Sequence, residues 1–87
     1  MQAKYTFYFG QECPHCEKMQ KLLDAIESEK GKLFDRVEVW HDKQALKKLE
    51  KIDNDRCGGI PFLYNPANDT FLCGEIEEDE LREWIAK

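Results

Sequence analysis

The sequence runs to 87 residues, enough for one domain over residues 1–87 with a small core. A hydrophobic share of 41% makes it a globular rather than a disordered chain, although 36% of it is charged. The formal net charge of -5, with no basic stripe, argues against nucleic acid as a partner, and no apolar run approaches the length of a membrane span.

Lys4 to Phe9 is nearly all aromatic and β-favouring, without clean alternation, which predicts a central strand buried on both faces. Met1-Gln2-Ala3-Lys4 leads straight into it with no secretion signal, so the expected compartment is the cytoplasm, where cysteines rest as thiols. The stretch Gly10-Gln11-Glu12-Cys13-Pro14-His15-Cys16 then opens a helix from Pro14 to about Lys30. Met19, Leu22, Leu23 and Ile26 form its apolar stripe, and Gly31 is its natural C-cap. Val37 and Val39 alternate with Arg36 and Glu38, predicting a strand with one wet face. Trp40 reads as packing and His41 as surface.

Asp42 can cap a second helix, whose apolar positions are Ala45, Leu46, Leu49 and Ile52 and whose Lys47-Lys48 pair is a solvated face. It ends near Asn54-Asp55, and Cys57-Gly58-Gly59 is loop. Ile60-Pro61 opens a third strand, Phe62 to Tyr64. Asn65-Pro66-Ala67-Asn68-Asp69 is dense in turn formers, and Thr70 to Cys73 returns as a fourth strand. A last helix covers about Glu78 to Ala86, with Leu81, Trp84 and Ile85 on its buried face. The order β-α-β-α-β-β-α predicts an α/β domain: a four-stranded mixed sheet with helices on both faces.

The chemistry concentrates where the first strand meets the first helix. Pro14 has no amide hydrogen and a fixed φ, which suits the first helical position and biases Cys13 to the extended conformation of a cap. The Cys13 sulfur then faces the unpaired N–H groups of the first turn, whose partial positive charge favours thiolate. Cys16 is one turn on, within disulfide reach, and a thiolate beside a partner thiol is the apparatus of thiol–disulfide exchange. His15, between the two, would stabilise the Cys13 thiolate, while the neighbouring carboxylate of Glu12 works against it.

Cys13-Pro14-His15-Cys16 at the first strand–helix joint, Ile60-Pro61 before the hairpin and Gly74 at the end of the fourth strand together resemble the thioredoxin-like superfamily. The resemblance covers the whole chain and is closest in size to a minimal glutaredoxin, while the Cys-Pro-His-Cys sequence looks like that of DsbA-type oxidases. It implies a protein disulfide oxidoreductase with Cys13 as nucleophile and Cys16 as resolving thiol. It also implies that Pro61 is cis beside these sulfurs, so that Ile60, Pro61 and Gly74 offer backbone to a substrate peptide. Disulfide-containing proteins or small disulfides would be the partners of a monomer, with glutathione or a reductase as electron donor and no resident cofactor or metal.

Two further cysteines lie outside this motif. Cys57 and Cys73 read as buried thiols, as a second disulfide or resolving pair, or as metal ligands. The last reading carries the alternative from another class, a zinc-binding module using Cys13 and Cys16 with Cys57 and/or Cys73.

Overall fold

The computed structural model describes residues 3–86, so Met1 and Gln2, part of the stretch read as having no secretion signal, lie outside the described residues, as does Lys87. Its elements are β1 (Tyr5–Phe9), α1 (Pro14–Lys30), β2 (Phe34–Glu38), α2 (Lys43–Asp53), β3 (Phe62–Asn65), β4 (Thr70–Cys73) and α3 (Glu78–Ala86). The strands form one sheet in the order β2-β1-β3-β4. β1 runs parallel to β2 and antiparallel to β3, and β3 and β4 form the hairpin. The architecture is the one the element order predicts.

Alternation along β1 divides the core. Tyr5 and Phe7 pack with Met19, Leu23 and Ile26 of α1 and Leu81 of α3. Tyr8 points the other way, to Phe62, Val39 and Leu49 of α2. Helices therefore cover both faces, which is why β1 carries aromatic residues on consecutive positions. Ile60 packs against both clusters, at the end of the sheet where β1 finishes and β3 begins.

The helix punctuation is local chemistry. Asp42 caps α2 by accepting from the amides of Gln44 and Ala45, and Asn54 ends it in the left-handed conformation with φ 46°. β2 departs from expectation. It begins at Phe34, which pairs with Tyr5, and its Arg36 does not lie on a wet face. The Arg36 guanidinium turns to α1, where Glu27 holds it at 2.8 Å and Asp24 at 2.7 Å. Glu27 also accepts the amides of Leu33 and Phe34. Burial works against the Glu27 charge, but these two amides and Arg36 outweigh it and hold the carboxyl below its ordinary range. One glutamate thus fixes both the entry and the side-chain anchor of an edge strand. Among the described residues, no helix is long and apolar enough to cross a membrane.

Candidate active site

Cys13 is the N-cap of α1, with φ -91° and ψ 111°, and Pro14 follows at the start of the helix. Serine or aspartate would be the ordinary choice at a cap; here a sulfur takes the role. The Cys16 amide donates to Cys13 Sγ at 3.1 Å. The Cys13 amide in turn donates to the Gly10 carbonyl, closing the turn between β1 and α1. Both cysteines are thiols, Cys13 just reached by solvent at 7% exposure and Cys16 fully enclosed. Burial, then the hydrogen bond to Cys13, pushes the Cys16 thiol up to about 12, so it keeps its proton at neutral pH.

His15 is exposed, and its Nδ1 lies 2.8 Å from Glu75 Oε1 in the turn after β4. Glu12 is equally engaged: His41 Nε2 sits 2.8 Å from its carboxylate, which raises the His41 pKa. Glu38 accepts from the amides of Gln11 and His41, and so ties the turn before Cys13 to the end of β2. Desolvation opposes the Glu38 charge, but those amides prevail and lower its pKa. Sequence reasoning missed Glu75, Glu38 and the His41–Glu12 pair. Their partners lie 60, 27 and 29 residues away, beyond any local signal.

Trp40 packs as expected, but only through one part of its ring. It is 51% exposed, and its indole lies on the backbone of Gly10, where a Cβ would overlap the ring. Glycine at position 10 is required by that close approach.

The Ile60–Pro61 bond is cis, and the Pro61 carbonyl accepts the amide of Gly74, which has φ +75°. This hydrogen bond brings the start of β3 and the end of β4 together at the sheet end where Cys13 lies. Cys57 and Cys73 flank these segments and are joined as a disulfide, with Cα atoms 5.4 Å apart. The reading of two buried thiols therefore falls, and bonded sulfurs supply no thiolate to the zinc set left open above. Sequence could not choose because Cys57 and Cys73 are 16 residues apart and meet only through the hairpin register. Cys57 packs with the α2-side cluster, whereas Cys13 and Cys16 belong to the α1-side cluster. The two sulfur pairs sit on opposite faces of the sheet. Asp53, buried at the end of α2, accepts the amides of Cys57 and Gly58 and so shapes the loop leading to Ile60.

A broad surface concavity of about 1050 Å³ lies elsewhere, at the β2 edge beside α2, bounded by Thr6, Tyr8, Asp35, Val37, Ala45 and Lys48. It contains no cysteine.

No protein-family model and no curated protein matches the chain. Among solved structures, a glutaredoxin from Archaeoglobus fulgidus superposes with a TM-score of 0.72 at 21% identity, over 99% of this chain and 89% of that one. At that identity the likeness speaks for the backbone arrangement. With its strand order and helix placement, this chain has a thioredoxin-like fold of glutaredoxin type.

Proposed function

We propose that the protein is a thiol–disulfide oxidoreductase working through Cys13 and Cys16. The observation that carries the reading is the asymmetry of the pair. Cys13 caps a helix and receives an N–H, while Cys16 is enclosed and protonated. The Cys13 thiolate attacks one sulfur of a substrate disulfide. That S–S bond breaks, and the departing sulfur leaves as a thiolate that takes a proton. Cys16 then loses its proton and attacks Cys13 Sγ, releasing the second substrate thiol and closing the Cys13–Cys16 disulfide. Two electrons pass to the substrate. An external thiol, glutathione or the dithiol of a reductase, restores the pair. The exchange runs on sulfur alone, without a resident cofactor.

Ile60, Pro61 and Gly74 form the ledge against which a substrate peptide lies, pairing as an added strand. His15 stabilises the Cys13 thiolate. The protein acts as a monomer on protein or small disulfides in the cytoplasm. In that setting the Cys57–Cys73 bond persists only with a potential below about −300 mV.

Turnover of a protein disulfide with dithiothreitol as final reductant tests the reading. Cys13→Ser should abolish turnover. Full activity of that variant would overturn the assignment.

A further inference from the structure

Trp40 is the most exposed large apolar side chain among the described residues, and it stands beside the nucleophile. One part of its ring rests on Gly10, whose carbonyl accepts the Cys13 amide. A turn of this kind holds its first and fourth Cα atoms within about 7 Å. The rest of the indole is open to solvent.

The surroundings of this ring are acidic. Glu38 accepts the amides of Gln11 and His41 and Glu12 pairs with the His41 ring, so both carboxylates engage the chain neighbours of Gly10 and Trp40, and Asp42 follows as the cap of α2. Against these three carboxylates stand the His41 imidazole and Lys43 at the start of α2. The local balance is therefore negative whether or not His41 is protonated. Across Cys13, Glu75 pairs with His15 and feels Lys18, which does not make the balance positive. The chain as a whole carries -5.

An exposed indole next to residues that carry carboxylates suits a guanidinium or ammonium group, which gains from the ring quadrupole and from the negative surroundings. Tryptophan is also a frequent anchor at interfaces. A small anionic disulfide gains from neither. We propose that Trp40, Glu12 and Glu38 form the docking face for a polypeptide disulfide substrate, and that this partner carries lysine or arginine beside its reactive cysteine. The inference rests on the redox reading above and adds the substrate class to it.

Two short peptides test it, each with a central cysteine held as a mixed disulfide with 2-nitro-5-thiobenzoate. Lysines flank the cysteine in one and glutamates in the other. Attack by the Cys13 thiolate on the peptide sulfur breaks the disulfide and expels the coloured thiolate. Each rate is divided by the rate of the same peptide with dithiothreitol, which removes intrinsic reactivity. The lysine peptide should lead by about tenfold at low salt, and the lead should shrink as salt screens it. It should also fall several-fold in Trp40→Ala and in a Glu12→Gln, Glu38→Gln double variant. Equal rates, or a lead unchanged in both variants, would overturn the docking face alone. No thiolate release from either peptide would overturn the redox reading, and the docking face with it.

Discussion

The amide N–H of Cys16 donates to Cys13 Sγ over 3.1 Å, so Cys16 offers its neighbour a donor through the backbone while its own thiol stays protonated. Iodoacetamide at neutral pH should therefore modify Cys13 and spare Cys16, as read by peptide mapping. In Cys16→Ser the first exchange should still occur and the second should not, so mixed disulfides with Cys13 should accumulate on non-reducing gels. Preferential labelling of Cys16 would reverse the roles.

His15 has a partner in Glu75, at 2.8 Å. A thiolate stabilised by a neighbouring imidazole makes the disulfide easier to reduce. His15→Pro should then lower the potential of the Cys13–Cys16 couple by tens of millivolts, about 30 mV for each 1.4 kcal/mol. Equilibration against glutathione measures it. An unchanged potential would leave His15 only its pairing with Glu75.

Gly10 and Trp40 form a second testable pair. Gly10→Ala puts a methyl group into the indole ring and should cost about 1–3 kcal/mol in chemical denaturation. With Trp40→Ala in the background, the penalty should fall by about 1 kcal/mol or more. Additive costs would mean that the ring and the glycine do not touch.

Glu27 supports β2 by accepting two amides and Arg36. Glu27→Ala should destabilise the protein by about 1–3 kcal/mol at neutral pH. Because the folded-state pKa of Glu27 is depressed, its ionic contribution is present above the ordinary value of 4.5 and is lost as pH falls through the lower folded value. The gap between wild type and variant should therefore narrow below about pH 4.5. A gap independent of pH would mean that the carboxylate charge contributes nothing.

For the Cys57–Cys73 bond, thiol titration in denaturant without reductant should find Cys13 and Cys16 only. The paired Cys57→Ala, Cys73→Ala variant should lose about 3 kcal/mol, the value for a closed loop of this size. Titration of all four cysteines would remove the disulfide.

Much of this was legible because it rests on local rules. Pro14 and Gly31 bracket α1 at the residues expected, and Asp42 caps α2. What escaped depends on partners distant in sequence. β2 looked like a strand with a wet face because Arg36 is charged; its anchors, Asp24 and Glu27, are on another element. Trp40 read as packing, but its partner is the bare backbone of Gly10, and the ring stays half open to solvent. The cap position of Cys13 and the place of Cys16 one turn on were readable from the Pro14 rule, whereas Cys57 and Cys73 needed the β3–β4 register to meet.

The ring closed by Cys57 and Cys73 contains Ile60, Pro61 and the whole hairpin, yet no part of α1. The β3–β4 side of this sheet end is thus stapled covalently, whereas α1 is tied to its neighbours by packing and by the ion pairs of Asp24, Glu27 and Glu29. Local opening of the hairpin is thereby limited by a covalent link that α1 does not have.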